Sequence, residues 1–122
     1  MRNNWETLDP AILGLLTRLG RSIAELPGAE RMVLYGSYAK GTNTEESDVD
    51  LAVFFRGGGN SALLEEYRRL ARICATDEYD VQVQAFSSDE LANPCGIIEE
   101  IDAHGVELPL KAVKIPARGG RE

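Results

Sequence analysis

Histidine, cysteine and long apolar runs are all scarce in this chain of 122 residues. His104 is the only histidine, and Cys74 and Cys95 are the only cysteines. A structural zinc site takes four such ligands at set spacings, so that class is excluded. The two thiols read as reduced and partly buried, without a disulfide, and His104 reads as a helix-end surface residue more readily than as a base. No apolar stretch approaches the ~20 residues of a membrane span, and MRNNWETLDP lacks the basic-then-apolar order of a signal peptide. A cytoplasmic protein with no membrane association is the expectation. Basic residues are also short: 13 Lys and Arg against 20 Asp and Glu leave a net charge of −7. A protein built mainly to grip a nucleic-acid backbone needs the opposite balance, so direct nucleic-acid binding is not expected. The phosphate-binding pattern G-x-x-x-x-G-K-[ST] and the dinucleotide fingerprint are both missing.

What remains is one domain's worth of ordinary globular sequence. Asp9-Pro10 reads as an N-cap followed by a first-turn proline. Ile12, Leu15, Leu16, Leu19, Ile23 and Leu26 then recur at helical spacing, predicting a helix over 9–25. Arg31–Tyr35 reads as a strand closed by Gly36, and Ser37–Lys40 as a helical turn. GTNTEES, 41–47, is a polar loop, and Asp48–Phe55 reads as a second strand. GGGN at 57–60 is a flexible break, with Asn60 or Ser61 as the cap of a helix whose buried face carries Leu63, Leu64, Tyr67, Leu70, Ala71 and Cys74. Tyr79–Phe86 is a third strand, with Val81, Val83 and Ala85 on one face and Asp80, Gln82 and Gln84 on the other. Ser88 caps a short turn, and Ile97–His104 forms a last helix with Gly105 at its C-cap. The fold class is therefore α/β (α+β), a single domain over 1–110 with a loose tail over 111–122. Whether the sheet is mixed or antiparallel is not legible from pattern.

The stretch LYGSYAKGTNTEESDVDLAVFF, 34–55, carries chemistry. Asp48 and Asp50 are two apart on a strand, so their side chains leave the same face with Cα atoms ~6.5–7 Å apart. Val49, Leu51 and Val53 take the opposite, buried face. Two like charges so placed repel one another, and a hard divalent cation relieves the conflict. A bare D-x-D is a weak signal, because one acid can cap a turn and the other can face solvent. The loop in front raises it. Gly36 lets a phosphate approach the backbone, the N–H groups at the start of Ser37–Lys40 face an anion, and the Ser37 hydroxyl adds a donor. A phosphate cradle beside a cation-binding pair is the equipment of phosphoryl transfer.

Gly36-Ser37-Tyr38-Ala39-Lys40-Gly41 followed by Ser47-Asp48-Val49-Asp50-Leu51 resembles the signature of the DNA polymerase β-like nucleotidyltransferases, most closely their minimal bacterial and archaeal forms. The resemblance implies a nucleotidyltransferase fold, a small mixed sheet flanked by helices. It further implies two Mg²⁺ ions and transfer of a nucleoside monophosphate from an NTP, AMP from ATP, to a hydroxyl. Carried over, Gly36, Ser37, Lys40 and Ser47 belong to the nucleotide site, and Asp48 and Asp50 hold the metals. Lys40 stands where the family often has Arg, and a phosphate contact, a pairing with a nearby acid or plain exposure to solvent each suits it. The family's third carboxylate, a metal ligand that helps deprotonate the attacking hydroxyl, falls on Asp80. A register shift would put Gln82 there instead, and glutamine cannot act as a general base.

Minimal members of this kind imply a partner encoded nearby, an all-helical HEPN toxin whose tyrosine receives AMP, with the nucleotidyltransferase as antitoxin. Two other readings share the motif. One is a nucleotide-binding module that neutralises a partner by contact alone. The other is an aminoglycoside adenylyltransferase, whose usual added helical domain has no counterpart here. Homo- or hetero-oligomers suit any of the three.

Overall fold

In the computed structural model the described residues are 1–57 and 60–110, with the side chains of 60–62 outside the description. A short 3-10 turn at Trp5–Thr7 leads into α1, Pro10–Ile23. The sequence starts α1 as expected: the Asp9 side chain accepts from the Ala11 N–H at 3.0 Å, and Pro10 fills the first helical position, where no N–H is required. Ile12, Leu15, Leu16, Leu19 and Ile23 are all buried, so one stripe of the helix faces the core.

Strand β1, Ala29–Tyr35, turns at Gly36 into the single helical turn α2, Ser37–Lys40, and a loop then leads to β2, Val49–Phe55. Helix α3, Asn60–Cys74, crosses over to β3, Val81–Ser87. A 3-10 turn at Ser88–Ala92 is followed by α4, Ile97–His104, and β4, Val106–Leu108. The strands lie in the order β3-β2-β1-β4. β1 pairs antiparallel with both β2 and β4, whereas β2 and β3 are parallel. The sheet is therefore mixed, and the α3 crossover is what the parallel pair requires.

Alternation along the strands divides the core in two. On one face Met32, Leu34, Val49, Leu51, Val53, Phe55 and Val83 pack beneath α1 and α3. On the other, Val33, Tyr35, Ala52 and Phe54 lie beneath Ile98 and Ile101 of α4, and the Phe54 and Phe86 rings stack with centroids 5.5 Å apart. Burying a ring such as Phe54 contributes about 1.5–3 kcal/mol. α4 packs on β1, with Ala52 and Phe54 of β2 in the same cluster. Asp50, Gln82 and Gln84 belong to the same face, where both glutamines are exposed and Asp50 is half-buried.

Several sequence expectations need correction. β1 begins at Ala29, two residues early, because a bulge between Ala29 and Arg31 lets the polar start of the strand keep pairing with β2. Leu64 and Tyr67 of α3 do not join the buried face; they are 55% and 42% exposed. The cap of the turn after β3 is Ser87 and not Ser88: its side chain accepts from Asp89 N–H at 3.2 Å while Glu90 accepts from the Ser87 N–H at 3.3 Å, a reciprocal capping box. Cys74 is buried, but Cys95 is exposed, so only one thiol is sheltered. The cap expected at Asn60 or Ser61 and the tail over 111–122 lie outside the described residues.

Candidate active site

The site begins with a turn that only glycine can make. At Gly36 the chain leaves β1 with φ 75° and ψ −154°, a conformation closed to L side chains. A second constraint acts on the same atom. Tyr35 lies opposite Asp50 in the β1–β2 register, and a Cβ on Gly36 would run into the Asp50 carboxylate well inside van der Waals contact. Glycine thus lets Asp50 lie against the backbone of the turn. The Gly36 carbonyl accepts from the N–H groups of Ala39 and Lys40, both at 3.1 Å, which winds α2. No side chain caps the first turn, which leaves its leading N–H groups open to an anion.

The acids lie at the starts of two strands. Asp48 stands just before β2 and is exposed, while Asp50 lies within it, half-buried. The parallel register sets Val49 beside Val81 and Asp50 beside Gln82, and the Val49 N–H donates to the Asp80 carbonyl at 2.9 Å. Asp80 is therefore brought alongside Asp48. Loss of solvation at the sheet end raises the Asp48 pKa, and the charge of Asp80 and a hydrogen bond to it raise it further. Burial raises Asp50 in turn, followed by repulsion from Asp48. Burial and then the charge of Asp50 push the Tyr35 phenol upward as well. Among the described residues, no ion pair involves Asp48, Asp50 or Asp80. Among the described residues, polar relief comes from the Gln82 amide, whose Nε2 donates to Asp80 Oδ1 at 3.1 Å.

Crowded carboxylates with no basic partner are the donor set a hard divalent cation fits. Among the described residues, however, no three His, Cys, Asp or Glu side chains are gathered as a ready metal cage. Of the carboxylates expected from the sequence, Asp80 lies near enough to Asp48 to raise it, and Asp50 is laid against Gly36. One or two carboxylates are the usual protein share of a Mg²⁺ shell, so the arrangement fits such an ion without a third ligand.

Two other predicted positions are engaged away from the acids. Lys40 Nζ pairs with Glu100 Oε2 of α4 at 2.8 Å, the pairing with a nearby acid that was one of its expected roles. Ser47 Oγ accepts from the Thr44 N–H at 2.8 Å and closes the loop ahead of Asp48. Sequence reasoning missed Tyr35 and Arg2. Tyr35 was in plain view beside Gly36, on the same face as Asp50. Arg2 had no local signal: its guanidinium reaches Ala39 and His104, 37 and 102 residues away in sequence.

The nucleotidyltransferase domain family matches residues 16–108, most of the chain. The chain belongs to that family. This nucleotidyltransferase is 28% identical over 81 residues to a protein of Methanocaldococcus jannaschii named as a candidate protein adenylyltransferase, a match spanning 65% of this chain and 78% of the relative. A candidate nucleotidyltransferase of Sulfolobus solfataricus, solved at 1.40 Å, superimposes with a TM-score of 0.62 at 18% identity, covering 80% of this chain and 78% of that one, and so shares the fold. A toxin–antitoxin structure with AMP-PNP is more distant, with a TM-score of 0.47 and 22% identity over 88% of this chain and 82% of that one, too loose to bear on the site. Among the described residues, no helix of this nucleotidyltransferase is long and apolar enough to cross a membrane.

Proposed function

We propose that this nucleotidyltransferase moves AMP from ATP to a hydroxyl of a protein partner, with Mg²⁺ as its cofactor. The observation that carries the reading is the placing of carboxylates that have no basic partner among the described residues beside a glycine turn whose first N–H groups have no side-chain cap. Gly36 and Ser37 would bind the triphosphate through the open N–H groups of α2 and the serine hydroxyl. Asp48 and Asp50 would hold Mg²⁺, and Asp80, at the rim of the pair, would contribute a further oxygen. The ion supplies neutralisation of the phosphate charge and of the pyrophosphate that leaves.

The residues do the rest. Asp80 is exposed, and its Oδ1 accepts from the Gln82 amide, so an acceptor hydroxyl arriving from solvent can give its proton to this carboxylate. The hydroxyl oxygen then bonds to the α-phosphorus as the bond to pyrophosphate breaks. The M. jannaschii relative's name supports a protein acceptor. The motif resemblance narrows this to a tyrosine of an all-helical HEPN toxin, with the chain serving as its antitoxin. Cytoplasmic residence and a domain ending near residue 110 belong to the same reading.

The test incubates the protein with α-labelled ATP, Mg²⁺ and the helical protein of the adjacent reading frame. Label should appear on a partner tyrosine, and Asp48→Asn should abolish it. Labelling by Asp48→Asn at the wild-type rate rejects the mechanism. A second reading has one observation behind it: Gln82, and not an acid, is the register partner of Asp50. It predicts a nucleotide-binding module that restrains its partner by contact alone. Partner inhibition that survives both Asp48→Asn and the removal of ATP would select it.

A further inference from the structure

The turn α2 rests on the core through Ala39, with Tyr38 packed beside it, and its remaining residues are less covered. It is four residues long, only Ala39 of the four is buried, and a cavity of about 250 Å³ lies against Tyr38, Ala39 and Lys40. A single turn fixes many backbone angles for few hydrogen bonds and does not sustain itself. Its stability has to come from outside, and the structure shows from where.

Arg2 lies along the outer side of β4. Its N–H donates to the Gly105 carbonyl at 2.8 Å, its own carbonyl accepts from the Glu107 N–H at 2.7 Å, and it bridges Val106 in parallel. With the backbone so held, the guanidinium of this exposed residue reaches across to two carbonyls. Nη2 donates to the Ala39 carbonyl at 2.8 Å and to the His104 carbonyl at 3.1 Å. These are carbonyls in the last turns of α2 and α4, where intrahelical partners run out. The Lys40–Glu100 pair adds a second tie between the same two helices. α2 is thereby clamped to α4 at its C-terminal end, and its other end is the Gly36–Ser37 turn.

We infer that Arg2 is a positioning residue for the Gly36–Ser37 turn, holding the nucleotide cradle at its correct angle to Asp50 from the rear of α2. The role in nucleotide binding rests on the reading proposed above; the mechanical role does not. The guanidinium touches neither the acids nor the open N–H groups. It acts by fixing the one element that presents them.

Hydrogen exchange of the full chain and MgATP titration, run on Arg2→Gln, Arg2→Lys and the remote control Arg56→Gln, separate the two. In Arg2→Gln, amides of residues 36–42 should exchange faster while those of α1 and β2 keep wild-type protection. The Kd for MgATP should rise on the order of tenfold, as expected for loss of a charged hydrogen-bonding clamp. Arg2→Lys, which keeps the charge and the donors, should recover part of both effects, and Arg56→Gln should show neither. Unchanged exchange at 36–42 overturns the inference. So does a uniform rise across the chain, which would make Arg2 a general fold contact. If wild type binds no MgATP while Arg2→Gln still loosens 36–42 alone, the clamp stands and the nucleotide reading falls.

Discussion

Gly36 carries two demands on one missing side chain, a left-handed backbone and room for Asp50. Gly36→Ala meets neither. The backbone conformation alone costs about 1–3 kcal/mol for a non-glycine residue, and relief of the clash would move Asp50. Chemical denaturation should show at least that loss, and MgATP binding should fall further than stability explains. The acids make the opposite prediction. Asp48 is raised in the fold, so it binds its proton more tightly there than in the unfolded chain. A metal-free protein should then lose stability as pH climbs through the raised Asp48 pKa, with the penalty lifted as pH falls toward the ordinary value near 3.8. Asp48→Asn removes one charge from the cluster, so the metal-free variant should melt above wild type at neutral pH. The gap should narrow as pH drops, and the Mg²⁺-dependent rise in Tm should vanish. A variant that melts below wild type at pH 7 in EDTA would mean the carboxylates do not oppose one another. The site was legible in the sequence wherever its logic is local: Gly36-Ser37 and the spacing of Asp48 and Asp50 are written in one loop. The relation of Asp80 to Asp48 was not, because it depends on the register between two strands.

The elements divide in the same way. α1 was readable from Asp9-Pro10 and its apolar stripe, since capping and periodicity act within a few residues. α3 was misread because residue type is a poor guide to direction: Leu64 sits one position, or 100°, around the helix from buried-side Leu63, and it points to solvent. Substitution should expose this difference. Leu70→Ala, at a site with no exposure, should cost about 2–5 kcal/mol, whereas Leu64→Ser should shift stability by less than about 0.5 kcal/mol. Equal losses in urea denaturation would mean that Leu64 is covered in solution. The junction of α4 and β4 is equally demanding. Gly105 has ordinary backbone angles, but a Cβ there would meet the Ile101 carbonyl oxygen and Val33 Cγ1, each at 2.5 Å. Since one neighbour is backbone, Gly105→Ala should destabilise by about 1–3 kcal/mol through overpacking.

At the scale of the whole molecule, strand order and the parallel β2–β3 pair escaped the sequence because they are settled by the crossover of α3 and by which faces α1 and α4 cover. That crossover can be tested as part of one cooperative unit, and the two cysteines provide the means. Cys74 closes α3 inside the larger core cluster, and burial pushes its thiol up to about 11. At pH 8 about one such thiol in a thousand is ionised, and only the thiolate attacks a disulfide reagent. Cys95 is exposed and has no such shelter. Ellman's reagent should therefore release one equivalent quickly from the native protein and a second only as the fold opens. Cys95→Ser should leave the slow phase alone. If α3 is locked to β3 and α1 as the packing implies, the opening free energy from that slow phase should match the free energy of global unfolding by denaturant. A slow phase far easier than global unfolding would mean that the end of α3 opens by itself, and the strand that brings Asp80 to Asp48 would then be held less firmly than the rest of the sheet.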